Sequence, residues 1–384
     1  MSISEIGREA PSVPPLDRSV FPVTRRWAYL NHASVGPLPQ PSRDAIVAAL
    51  DAQMADGCAG ILDVEAHKEA VRAQAAAAIG ASPDEIAFMR STSDGALLVA
   101  NGIDWEEGDE IVTSADEFGS DAYAWLNLRD RGVTCVFARP PERRLTVELL
   151  ERVATKRTRL VAVSYVGFYD GYRHDLPALG AWCRRRGVLF AVDAMQGFGQ
   201  LALDVAACHI DFCYFGVAKW LLSPQALSIV YVRRALVDGL RPALCSWRSM
   251  RDPMDFLDYT QPFADGATRF DGATVNYPAL LAFRESLRLL TKAGLDKIER
   301  HVLALGEHLV RGASRIGRRV LSDLTPKNRS GITLLSREKD SVEHLSRRVD
   351  SAKVQVTIRD AGIRVSPHGY NTIEEIDRTL DALS

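Results

Sequence analysis

The chain has 384 residues, 47% of them apolar and 25% charged, which excludes a disordered or fibrous protein and leaves room for one large domain with a smaller one beside it. A formal net charge of −2 argues against nucleic acid as a partner, since neutralising phosphates takes a basic surface, and leaves a small molecule or a second copy of the chain. Six cysteines (Cys58, Cys135, Cys183, Cys208, Cys213 and Cys245) stand at irregular spacings with no CxxC pair, so neither a zinc site nor a disulfide framework is indicated.

The first segment, MSISEIGREAPSVPPLDRS, is polar and proline-rich and lacks the apolar centre of a secretory signal. No run approaches the length of a membrane span, and the cytosol is the expected location. We assign residues 1–25 to an N-terminal arm, 26–265 to a large domain and 266–384 to a small one. From about residue 85 a strand and a helix alternate: EIAFM, then SDGALLVANGI, then EIVTS and a longer polar and aromatic stretch. LVAVSYV, the helical HDLPALGAWCRRRG, VLFAVDAM, DFCYFGVA and ALSIVYV follow. Apolar runs of this kind read as strands buried on both faces, hence an α/β domain with a mostly parallel sheet covered by helices. Past residue 265, two long helices (YPALLAFRESLRLLTKAG and LDKIERHVLALGEHLVRGA) and short strands near GITLLS and GIRVS predict a smaller α+β domain.

In such sheets ligands gather at the carboxyl ends of the strands, and the polar residues of interest fall there. Lys219 lies in FGVAKWLLSP after one predicted strand, and Asp193, 26 residues earlier, ends another. Burying a lysine among apolar neighbours is costly without a partner. Either the pair is a structural ion pair, or the lysine does chemistry. Pyridoxal 5′-phosphate (PLP) requires a lysine for its aldehyde, an acid for its pyridine nitrogen and an anion cradle for its phosphate. Desolvation lowers a lysine's pKa in the direction that keeps the amine nucleophilic. Thr92 and Ser93, at the start of the helix after EIAFM, offer hydroxyls and a helix N-terminus to a phosphate, although residues of this type also cap helices with no ligand. Gln196 in VDAMQGFGQ can donate to a phenolic oxygen, and Phe118 in ADEFGSDAYAW can stack on a ring; an exposed loop residue and a core aromatic are the bland alternatives.

These motifs resemble the class V aminotransferase group of PLP fold type I, which includes cysteine desulfurases, selenocysteine lyases and isopenicillin N epimerase. The likeness runs through YLNHASVGPLP, STSDG, DEFGSDAYAW, VSYVGFYDG, VDAMQGFGQ, DFCYFGVAKWLLSP, TRFDGATVN and IRVSPHGYNT, in the family's order. It implies that Lys219 carries the cofactor, Asp193 meets the pyridine nitrogen, Gln196 meets the phenolic oxygen, Phe118 takes the stacking place, and Thr92 with Ser93 holds the phosphate. It also implies that Thr274 reaches the phosphate of a neighbouring subunit, hence a homodimer with shared sites, and that Arg364 grips the carboxylate of an amino-acid substrate. Asn31 and His32 would line the substrate side; His32, Trp247, Arg248 and His368 stand near the entrance, each equally open to a purely structural role.

The chain departs from the desulfurase pattern in several places. Phe118 replaces a stacking histidine, Ala218 the histidine before the lysine, Gly216 a phosphate-binding serine, and Phe168 an asparagine. The segment SAKVQVTIRDAG has no cysteine where a desulfurase carries its mobile thiol. Proton transfers therefore fall to Lys219, and the expected reaction is C–S or β-elimination, or amino transfer, with epimerisation or a non-catalytic PLP-type fold as alternatives. A nucleotide-dependent enzyme is disfavoured because neither GxGxxG after a strand nor GxxxxGK[ST] is present.

Overall fold

The computed structural model describes residues 13–61, 63–138 and 144–384; the first twelve residues of the expected arm lie outside these. The rest of the arm packs on the C-terminal part of the chain. The Leu16 amide donates to the Gly369 carbonyl, and Arg18 pairs with Glu375 at 2.9 Å.

A short strand, β1 (Ala28–Tyr29), precedes helices α1 (Gln40–Asp56) and α2 (Val64–Ala78). The sheet region then runs β2 (Ile86–Met89), α3 (Thr92–Gly102), β3 (Glu110–Ser114), α4 (Gly119–Leu126), β4 (Thr134–Ala138), α5 (Val147–Val153), β5 (Thr158–Ser164), α6 (Leu176–Arg186), β6 (Leu189–Asp193), β7 (Phe212–Gly216) and β8 (Ser228–Val232). These strands form one sheet in the order β2-β8-β7-β6-β5-β3-β4, antiparallel only where β8 meets β2 and β7. The strands predicted from apolar runs are all present. The edge strand β4 was hidden in the polar stretch after EIVTS, and α1 and α2 precede the point where the sequence periodicity becomes readable.

Both sheet faces are covered, as the unbroken apolar runs require. Val161, Val163, Val192, Cys213 and Phe215 point into one core, whereas Leu160, Ala162, Ala191, Phe212 and Tyr214 point into the other. Helices are fixed by their ends: Ser91 caps α3 by accepting from the Asp94 amide at 3.1 Å, and Asp175 caps α6 by accepting from Ala178 at 3.2 Å.

The C-terminal part comprises α7 (Tyr277–Ala293), α8 (Leu295–Arg315), β9 (Thr333–Leu335), α9 (Val342–Ser351), β10 (Val354–Gln355), β11 (Thr357–Arg359), β12 (Gly362–Val365) and α10 (Ile373–Leu383). Strands β11, β12 and β9 make an antiparallel sheet, and β1 pairs with β10 in parallel. The expected division at 265/266 is not where the apolar clusters divide. Leu280, Phe283, Leu287 and Leu290 of α7 belong to the main core, while Ala28 and Leu30 join Leu305, Leu309, Val354, Ile363 and Ile376 in a separate cluster. The chain thus contributes Leu16 and Phe21 to the main core, then Ala28 and Leu30 to the small module, before the sheet begins.

Candidate active site

The carboxyl ends of β2, β3, β5, β6 and β7 lie along one sheet edge. Met89 and Gly216 both face Ser228, Asp193 faces Tyr214, and Ser164 faces Asp193. Asp193 is buried, and its Oδ1 accepts from the Met195 amide at 2.7 Å. Burial raises its pKa, while hydrogen bonding and the charge of Lys219 act to lower it. Lys219 follows β7 by three residues. Burial lowers its amine to about 8; Asp193 opposes that shift and Arg364 reinforces it. The lysine turn is clamped by the chain entering from β1: the Gly36 amide donates to the Ala218 carbonyl at 2.8 Å, and a Cβ on Gly36 would stand 2.1 Å from the Lys219 carbonyl oxygen. Only glycine allows that approach. The Phe118 ring, half exposed, has its centroid 5.9 Å from the Lys219 Nζ and meets Phe168 edge-on.

Beside this pair the N-termini of α3 and α4 converge. Ser93 donates to Ser120 at 2.7 Å, joining the first turns of the two helices, whose leading N–H groups have no partner within the helix. Thr92 Oγ1 accepts from the Gly216 amide at 3.0 Å, which leaves its own proton to donate. A Cβ at Gly216 would come within 3.2 Å of that oxygen, so Thr92 fills the room a serine there would need. Thr274 is exposed in a loop that turns through Ala273 at a φ of 68°. Asp271 anchors the loop: its carboxylate accepts from the Phe88 amide and from Arg72, each at 2.8 Å, and pairs with Lys68 at 3.3 Å.

On the opposite side Arg364 projects from β12. One terminal nitrogen donates to the Phe168 carbonyl at 2.6 Å and the other to Ser34 Oγ at 2.9 Å, while Nε is buried with no partner among the described residues. Burial, then the charge of Arg359, lowers its pKa to about 10. Asn31 stands one step behind. Its Oδ1 accepts from Ser34 at 2.9 Å and from Thr357 at 2.7 Å, so it braces the serine that Arg364 touches.

His32 and His368 do not face an entrance. Both are fully buried. His32 lies between the Ser366 carbonyl (2.9 Å) and the Tyr370 hydroxyl (2.8 Å), and His368 contacts the Trp220 carbonyl at 2.9 Å. Burial holds both imidazoles below their ordinary pKa, with His368 at about 4. Their nitrogens are used by the core because the C-terminal segment folds over β1. Trp247 is partly exposed and stacks on Arg248, whose guanidinium pairs with Glu65 at 2.5 Å. Gln196 is buried; its amide donates to the Ala33 carbonyl and accepts from Trp220, each at 2.9 Å, which leaves one N–H for a ligand.

Sequence reasoning missed the carboxyl groups of Glu117 and Asp121, although both lie in the DEFGSDAYAW segment that supplied Phe118. Glu117 accepts from the Ser164 amide at 3.0 Å and from its hydroxyl; burial raises it to about 7 against these bonds, with the charges of Asp193 and Asp116 adding to the rise. Asp121, in α4, is buried and accepts from the Tyr214 hydroxyl. Their distance from Asp193 along the chain hid the grouping, and the residues' acidity was the only available signal. Among the described residues no group of His, Cys, Asp and Glu is arranged to hold a metal.

The doubly covered sheet, with a lysine and a carboxylate at adjacent strand ends and a small C-terminal module carrying an arginine, defines a two-part α/β enzyme architecture. The family model of class-V aminotransferases matches residues 61–379, and the chain belongs to that family. It is 27% identical to an uncharacterized aminotransferase of Bacillus subtilis, YcbU, over 97% of this chain and 98% of that one. It is 28% identical to the cysteine desulfurase of Salmonella typhimurium over 96% of each chain. A solved mutant of C-DES with glycine covalently linked to its PLP cofactor superposes with a TM-score of 0.87 at 24% identity, covering 96% of this chain and 98% of that chain. The structure of the same protein, a cystine C–S lyase, with its product cysteine persulfide gives a TM-score of 0.85 at 24% identity over 94% and 98%.

Proposed function

We propose that the protein is a PLP-dependent enzyme that acts on an amino acid at its α-carbon, as a C–S or β-elimination lyase or an aminotransferase. The observation that carries this reading is a partly buried amine, Lys219, placed three residues past the end of β7 next to the strand that ends in Asp193, and lowered by burial to about 8 while Asp193 opposes the shift and Arg364 adds to it. The donor set fits PLP: Lys219 for the aldehyde, Asp193 for the ring nitrogen, the remaining N–H of Gln196 for the phenolic oxygen, and Thr92, Ser93 and the α3 N-terminus for the phosphate. Phe118 would cover the ring face. When bound, the cofactor supplies an electron sink that acidifies the substrate Cα–H.

Arg364 would hold the substrate carboxylate. Its buried Nε lacks a partner and its terminal nitrogens are already anchored, so the guanidinium is fixed before a ligand arrives. Lys219 would be the base that removes the α-proton and the acid that returns it, with a pKa close to the working range of a general base. Phe118 and Phe168 would exclude water from that exchange. The segment before Arg364 holds no cysteine, Cys213 points to the sheet face opposite Tyr214, and burial raises Cys135 and Cys208 to about 12 and about 11, which leaves only Cys58 and Cys245 as exposed thiols. Elimination or amino transfer driven by Lys219 alone is therefore favoured over desulfuration through an enzyme cysteine.

Thr274 would complete the phosphate site of a second copy, making the working unit a homodimer. The exposed Phe256, Leu257 and Tyr259, on the segment leading to that loop, give such a contact an apolar surface. Among the described residues no helix is long and apolar enough to cross a membrane.

The test is to load the pure protein with PLP, reduce it with borohydride and map the pyridoxyl group, which should lie on Lys219. A panel of amino acids is then assayed for keto acid, ammonia and sulfide. Label on another lysine would remove the assignment, and loss of optical activity with no product released would identify an epimerase.

A further inference from the structure

The reading above leaves the Asp121 carboxyl without a task, yet its surroundings are demanding. It is 3% exposed. Tyr214, directly opposite Asp193 in the β6–β7 register, shares a sheet face with it and donates its hydroxyl to Asp121 Oδ1 at 2.5 Å. Oδ2 of Asp121 is buried with no donor among the described residues. The charged groups that act on Asp121 are two further carboxyls, Asp193 from β6 and Glu117 from the turn before α4; the cation that reaches Asp193 is Lys219.

An ionised Asp121 would set a second negative charge beside Asp193 in a desolvated pocket and leave its own Oδ2 without a hydrogen bond. Adjacent buried carboxylates do not both ionise, and a buried acceptor with no donor is costly. A proton on Oδ2 resolves both difficulties, because the orphaned acceptor becomes a donor and its neighbour is a carboxylate. Room for the arrangement comes from Gly95 in α3, where a Cβ would stand 2.5 Å from the Tyr214 Cβ. Burial, followed by the charges of Asp193 and Glu117, pushes Asp121 well above the usual carboxyl range, in agreement with the geometry.

We propose that Asp121 is a neutral carboxylic acid in the folded protein, donating from Oδ2 to the Asp193 carboxylate while Tyr214 holds its Oδ1. Asp121 is then a positioning residue: the chain Tyr214–Asp121–Asp193 keeps Asp193 as a single negative charge in a fixed orientation. That this charge serves a cofactor's ring nitrogen rests on the PLP reading above; the shared proton does not. Asp121 does the work of a side-chain amide, so asparagine should replace it and alanine should not.

Two measurements test this on the full-length protein. In the apoprotein at neutral pH, infrared difference spectra between wild type and Asp121→Asn should show a protonated carboxyl band that the variant loses. In PLP titrations, Asp121→Ala should weaken binding roughly tenfold or more, as expected for losing one hydrogen bond to a charged acceptor, and Asp121→Asn should restore affinity to within about threefold of wild type. The pH profile of the bound cofactor's visible absorbance should move in Asp121→Ala and return in Asp121→Asn. Absence of the infrared band, or an asparagine variant as impaired as alanine, overturns the proposal. If wild type itself binds no PLP, the functional reading fails, and the infrared comparison still decides whether Asp121 carries the proton. An alanine variant that does not fold leaves the asparagine and infrared results to decide.

Discussion

At the scale of single residues the site depends on one amine being neutral when it is needed. Burial lowers Lys219 to about 8 from 10.5, and a lowered value means the proton is lost earlier as pH rises. In the apoprotein, labelling of Lys219 by an amine-specific acylating reagent should therefore climb through about pH 8, well below the pH at which an exposed lysine labels, read by peptide mapping across a pH series. A Lys219 that labels in step with surface lysines would show that the desolvation is not felt. Arg364 is proposed to act on the other partner, the substrate. Arg364→Lys keeps a charge but loses the planar fork, and it should raise the KM for an amino acid roughly tenfold or more with a smaller change in affinity for PLP. Equal loss of both would mean that Arg364 supports the fold around Phe168 and Ser34 rather than the substrate.

At the scale of elements, close approaches set the geometry. Gly95 in α3 lies over the Tyr214 ring, and alanine there would place a Cβ 2.5 Å from the Tyr214 Cβ. Alanine is better than glycine in a helix by about 1 kcal/mol, whereas overpacking of this kind costs about 1–3 kcal/mol. The second effect should win, so Gly95→Ala is expected to lower the denaturation midpoint and loosen PLP binding, because Tyr214 moves away from Asp121. A stabilised Gly95→Ala protein with unchanged cofactor affinity would show that α3 shifts freely on the sheet. The start of α3, the proposed phosphate end of the site, was readable as an element: STSDG after a strand announces a capped helix N-terminus. Its partner, the start of α4 with Ser120, was not readable, because the pairing of Ser93 with Ser120 spans 27 residues and depends on how the two helices lean together.

At the scale of the whole molecule, two expectations follow from what faces solvent and what does not. The thiols of Cys183 and Cys213 are buried and pushed up, and Cys58 and Cys245 are exposed. A variant lacking all six cysteines should keep turnover, provided circular dichroism shows it folded; the replacements at Cys183 and Cys213 carry the main stability cost, since both sit in the core. A folded, PLP-loaded cysteine-free protein that is inactive on the native substrate would return an enzyme thiol to the mechanism. Phe256, Leu257 and Tyr259 are 59%, 81% and 89% exposed, a concentration of apolar area that a second copy would cover. Sedimentation of the loaded protein should give a dimer, and Leu257→Glu with Tyr259→Glu should shift it towards monomer and reduce PLP affinity; a fully active monomer would sink the shared-site reading.

The sequence by itself determined the sheet strands with apolar runs, the strand-end places of Lys219 and Asp193, and the helix start at Thr92, because each is written locally as periodicity, a cap or a run bounded by polar residues. The same local signals could not show that His32 and His368 turn inward, since a histidine is polar in either setting and only the chain folding over it decides. Nor could they show that residues 28–31 pair with the C-terminal segment, or that Glu117, Asp121 and Asp193 share one desolvated pocket. Those facts come from contacts between residues far apart in the chain, and it is the burial they produce, not the residue types, that moves the proton equilibria on which the site depends.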